Sequence, residues 1–125
     1  MDVTPLIPEG LQLIEAYGDG AFRITGARYE SAVFVFPDET LIWLNAGLED
    51  LTAATFSPVT SRETVPEILL LGTGARTEFI LPSIRAAIRE NGPVVDIMDT
   101  GAACRTYNVL LAEGRRVAAA LLPVD

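Results

Sequence analysis

Residues 67–74 read EILLLGTG and residues 94–101 read VVDIMDTG. Glu67–Leu71 is a continuous apolar run, the pattern of a strand buried on both faces, and Val94–Met98 is a second. Between them Pro82 suits a first helical turn. Ile84, Ala87 and Ile88 form one stripe at i, i+3 and i+4, with Arg85 and Arg89 on another face. The spacing predicts a helix over 82–90, stopped by Asn91-Gly92-Pro93. Thr100 can cap a further helix running to about Ala112, with Gly114 as its stop and Arg115-Arg116 as an exposed turn. Val117–Leu122 (VAAALL) reads as the closing strand, its alanines small enough for close packing on both faces. A β-α-β-α-β order over 67–122 predicts an α/β layered core.

Outward from that unit the chain reads as β. Leu11–Tyr17, Phe22–Thr25, Ser31–Phe36 and Thr40–Leu44 are strand-like, separated by Gly18-Asp19-Gly20 and Pro37-Asp38-Glu39. They predict an N-terminal β-meander or hairpin over 11–44, joined to a mixed central sheet or forming a small second one. Residues 1–10 are expected to be an extended arm. Residues 46–66 suggest a short helical turn or two, with Thr60-x-x-Glu63 as a capping-box pattern cut short by Pro66. The whole, 1–125, is expected to be a single domain.

Composition narrows the chemistry. Among 125 residues there are 17 acids and nine bases, all arginine, for a net charge of −8. There is no histidine and only one cysteine. These counts exclude a Ser-His-Asp or Cys-His nucleophile, a thiolate zinc site and an intrachain disulfide. We therefore assign no catalytic residue, no metal ligand and no cofactor. A pI near 4.4 disfavours nucleic acid and anionic membrane surfaces as partners. No apolar run approaches the roughly 18 residues that span a bilayer. The first ten residues hold two acids and no base, unlike a presequence, so a reducing cytoplasm, where a lone Cys104 can stay a thiol, is the expected setting.

Candidate binding residues gather at two turns. Gly72-Thr73-Gly74 follows a buried strand, where α/β sheets bind ligands, and Arg76 lies two residues on. Asp99-Thr100-Gly101 ends the next strand and should lie beside it if the crossover is right-handed. Together with Arg105, Tyr107 and Asn108 these offer amides, hydroxyls and positive charge for a small anion. Each also has a purely structural reading: a tight turn with positive φ, helix capping by Asp99 or Thr100, and hydrogen bonds from Tyr107 and Asn108 to a neighbouring loop. Asp96, inside an apolar strand, is expected to be buried with an arginine partner. Cys104, Asn108 and Leu111 share a helical row, so the cysteine reads as a buried structural thiol rather than a redox centre.

ILLLGTG at 68–74, VVDIMDTGAACRTYN at 94–108 and EGRRVAAALL at 113–122, with Ile24-Thr25-Gly26 and Tyr29 upstream, resemble one family. It is the small domain of unknown function that includes the mitochondrial respiratory complex I assembly factor three and the adipogenesis-associated domain protein. The resemblance implies a three-layer α/β fold with a mixed central sheet and an added β-hairpin. It implies no family-wide enzymatic activity and no cofactor, and the departure from the mitochondrial branch, the missing presequence pattern, implies a bacterial member. Two functions follow as expectations. One is a noncatalytic protein-interaction or assembly-factor domain with a protein client. The other is a small-anion or metabolite-binding protein, or weak enzyme, using the crevice at Gly72–Gly74 and Asp99–Tyr107.

Overall fold

A computed structural model describes residues 10–44 and 47–125. The expected arm, residues 1–10, lies outside the described residues except for Gly10. The C-terminal unit is as the apolar runs predict. Strand β6 spans Ile68–Gly72, helix α2 Pro82–Glu90, strand β7 Val94–Met98, helix α3 Thr100–Ala112 and strand β8 Val117–Leu121. Upstream lie β1 (Ile14–Gly18), β2 (Ala21–Ile24), β3 (Ala27–Tyr29), β4 (Val33–Val35), β5 (Thr40–Ile42) and the one-turn helix α1 (Ser57–Thr60).

The expected meander divides between two sheets. β1, β2 and β3 form an antiparallel three-stranded sheet of their own, whereas β4 and β5 join a five-stranded mixed sheet in the order β5-β4-β8-β6-β7. The division falls between β3 and β4, at residues 30–32, whereas Thr25-Gly26, both at positive φ, reverse the chain from β2 into β3 within the small sheet. Ala27-Arg28-Tyr29 is too short and polar to register as a strand in sequence. In 46–66, 3₁₀ turns at Leu48–Asp50 and Ala53–Phe56 precede α1. The capping box there belongs to Thr52 and Thr55, not to Thr60 and Glu63.

The central sheet separates two cores. On one face Leu69, Leu71, Val95, Ala118 and Ala120 pack with Phe34, Phe36 and Trp43 under Ile88 of α2 and Phe56. Phe34 and Trp43 stack with ring centres 4.9 Å apart. On the other face Leu70, Val117, Ala119, Leu121, Val33 and Val35 meet Ala103, Cys104, Tyr107 and Leu111 of α3, with Ile14, Phe22 and Ile24 of the small sheet. The result is three layers. β6 leads outward to β7, and β7 leads back past β6 to β8. The two connections run in opposite directions across the sheet, and α2 and α3 pack on opposite faces, as crossovers of one hand require.

β8 is the strand everything surrounds, antiparallel to β4 and parallel to β6, with all five residues buried. Its alanines leave the space that α3 and the aromatic cluster fill. Ala119→Leu should therefore overpack the α3 face and cost about 1–3 kcal/mol, read as a lower urea midpoint at unchanged slope.

Candidate functional site

The two turns do meet. β6 and β7 are parallel neighbours whose carboxyl ends lie side by side, while the connections onward to α2 and α3 part to opposite faces, as at a ligand-binding switch point. Thr100 N–H donates to the Gly74 carbonyl at 2.8 Å, and Thr73 N–H to the Met98 carbonyl at 3.0 Å. The polar groups that could face a ligand are, however, bonded to one another. The Thr100 hydroxyl, completely buried, accepts from Gly74 N–H at 2.8 Å and donates to the Leu122 carbonyl at 2.7 Å. The Thr73 hydroxyl donates to the Arg76 carbonyl at 2.6 Å and accepts from Glu78 N–H at 3.0 Å. Asp99 is the N-cap of α3, its carboxylate accepting from Ala102 N–H at 2.9 Å, so Thr100 is freed from capping.

Glycine is required twice at this turn. A Cβ at Gly72 would lie 2.9 Å from a Leu121 methyl and 3.0 Å from the Thr100 backbone, and Gly74 holds φ at +96°.

The remaining candidates disperse. Arg76 and Arg105 are exposed and take no part in the ion pairs among the described residues. Arg105 lines a different depression, with Tyr17, Cys104 and Asn108. The Tyr107 hydroxyl is buried and donates to the Gln12 carbonyl at 3.0 Å. Asn108 meets the outer edge of β1 with both ends of its amide, accepting from Ile14 N–H at 3.0 Å and donating to the Ile14 carbonyl at 2.8 Å. Those two residues thus fasten the small sheet to α3.

Asp96 corrects the sequence reading. It is exposed, because β7 is the sheet's edge strand and α3 does not extend over its outer end. It needs no buried arginine. Arg85, on α2, instead donates to the Val95 carbonyl at 3.0 Å, covering an edge group of β7. Arg62 belongs to no motif in the sequence. Its guanidinium lies 3.8 Å from the centre of the Phe36 ring and pairs with Asp38 at 2.6 Å and Glu39 at 2.7 Å. Two adjacent acids in the Pro37-Asp38-Glu39 turn were the available signal.

Cys104 is buried in the core, as its helical row predicts, and burial pushes its thiol up from 9.0 to about 12. Burial also raises the Tyr107 hydroxyl, with Asp38 adding to the effect.

A family model described as a protein of unknown function (DUF498/DUF598) matches residues 14–122. The NADH dehydrogenase (ubiquinone) 1 alpha subcomplex assembly factor 3 of Bos taurus is 36% identical over 110 residues, 88% of this chain and 60% of that protein. The chain thus spans about 60% of the length of the first curated relatives it matches. A crystal structure of a Bordetella parapertussis protein superimposes with a TM-score of 0.80 at 38% identity, covering 93% of this chain and 99% of that one. A Bartonella henselae structure, described as an outer membrane protein, gives 0.83 at 35% identity, covering 96% and 100%.

Two outcomes test this site. Thr100→Val orphans Gly74 N–H and the Leu122 carbonyl, at about 1–3 kcal/mol for each buried group left unpaired. Thr100→Ser keeps the hydroxyl and should recover most of that loss in a denaturant melt. The second concerns alkali. Above pH 9 the unfolded chain releases the Cys104 proton that the folded chain retains, so stability falls as pH rises toward about 12. The slope is at most about 1.4 kcal/mol per pH unit. Cys104→Ala should flatten the fall between pH 9 and 10, before tyrosine ionisation contributes.

Proposed function

The chain belongs to the DUF498/DUF598 family, and on that premise we propose that it is a noncatalytic assembly-factor domain whose client is another protein. The observation that carries this reading is its 36% identity to the bovine assembly factor over 88% of its own length. The geometry supports it. At the carboxyl ends of β6 and β7, where an enzyme of this architecture would keep free donors, the amide of Gly74 and the hydroxyls of Thr73 and Thr100 hold the chain together. A small anion bound at Gly72–Gly74 and Asp99–Tyr107 would have to displace those bonds. Of the two candidate arginines Arg76 is exposed beside that turn, while Arg105 lines the other depression.

We place the domain in a bacterial cytoplasm, acting on the soluble part of a multisubunit complex. No helix among the described residues is long and apolar enough to cross a membrane.

Deletion of the gene in its host tests both statements. Native gels stained for NADH dehydrogenase activity should show less mature complex and more partial assemblies, restored by the wild-type chain and equally by Arg76→Ala. An unchanged complex profile would overturn the assembly reading. Recovery of the chain in the outer-membrane fraction would overturn the placement.

A further inference from the structure

We propose that the extended segment Phe79–Leu81 and the groove beside it dock a basic, apolar-anchored segment of another protein; this rests on the interaction reading above and names its surface. The segment alternates as an extended chain does. Ile80 is buried in the core beneath α2, while Phe79 and Leu81 point outward, 99% and 64% exposed. Ile80 thus anchors the backbone that holds a phenylalanine clear of its own protein.

The groove holds about 540 Å³ and is lined by Leu48, Leu51, Phe79, Leu81 and Ile84, among others. A neighbouring depression, reached across the Leu48–Asp50 turn, adds the exposed Ile42 and Leu44. Four of the large exposed apolar side chains therefore flank one turn. An apolar surface of that kind, rimmed by charge, marks an interaction site.

The polar turn next to it gives the display its rigidity. The Thr73 hydroxyl ties both the Arg76 carbonyl and Glu78 N–H, so the loop is clamped up to the residue before Phe79. A pre-ordered anchor loses little conformational freedom on docking.

Charge selects the occupant. Glu49 lines the groove, Asp50 lines the neighbouring depression, and Glu78 precedes Phe79. All three are exposed, and none belongs to an ion pair among the described residues. Arg85, the one base on the groove wall, is turned to the Val95 carbonyl. A second copy of this chain would bring the same carboxylates and a charge of −8 against them, and an anionic membrane would be repelled likewise. A segment with large apolar residues flanked by lysine or arginine meets both features.

Benzoylphenylalanine placed at position 79 of the full chain, and separately at exposed Val109 on α3, tests this by photo-crosslinking in the native host. The position-79 chain should link to a peptide of another protein that carries lysine or arginine beside large apolar residues. Reversing Glu49, Asp50 and Glu78 to lysine should cut that link about tenfold or more, at an unchanged melting temperature. Links to a second copy, to phospholipid or to an acidic segment would overturn the proposal, as would a link indifferent to the reversals. A link from position 109 alone would overturn this surface and leave the interaction reading standing. No link from either position would count against both.

Discussion

The Thr100 hydroxyl is the bond on which the rest of the molecule turns. It is the first residue of α3, it is wholly buried, and it joins Gly74 N–H to the Leu122 carbonyl. Three segments distant in sequence converge there: the end of β6, the end of β8 and the start of α3. A neutral hydrogen bond contributes only about 1 kcal/mol net, but a buried donor or acceptor without one costs more. The fold therefore depends on this hydroxyl less for what it adds than for what its loss would leave unpaired. Gly72 belongs to the same constraint, since any side chain there would press on Leu121 and Thr100.

Most of the C-terminal unit could be read from sequence because its signals were one-dimensional. EILLL and VVDIM are apolar runs of strand length, and Pro82 with Gly92 brackets α2. The N-terminal half resisted because its information is relational. Nothing in Ser31–Phe36 says that β4 parts from β3, keeps β5 on one side and takes β8, 80 or more residues later, on the other. β3 carries no strand signal because only Tyr29 of Ala27-Arg28-Tyr29 is even half-buried. Asp96 was misread for a related reason: whether a strand is central or at an edge is a property of the sheet, not of its five residues.

The candidate site shows the same boundary. Sequence brought Gly72–Gly74 and Asp99–Thr100 to one place through the right-handed crossover, and the structure agrees. It could not say whether those polar groups faced outward or each other. That depends on the Leu122 carbonyl and Glu78 N–H, which arrive from elsewhere. Tyr107 and Asn108 were legible as residues needing partners, and their partners, Gln12 and Ile14, lie more than 90 residues away.

The treatment of exposed groups elsewhere in the fold bears on how Phe79 should be understood. β7 is an edge strand, the kind of surface that recruits unwanted partners unless it is covered. Here Arg85 covers the Val95 carbonyl, and the Asp96 charge stands on the same strand. Arg62 lies over Phe36 and brings Asp38 and Glu39 with it. Single exposed apolar residues are ordinary on protein surfaces, and Val109 on α3 lines none of the principal depressions. Phe79 differs. It is almost wholly exposed, has Leu81 beside it, stands over a groove and follows a loop clamped by a threonine. The side-chain bonds on the two surfaces do different things: Arg85 covers a strand edge, whereas Thr73 holds the loop that leaves Phe79 uncovered.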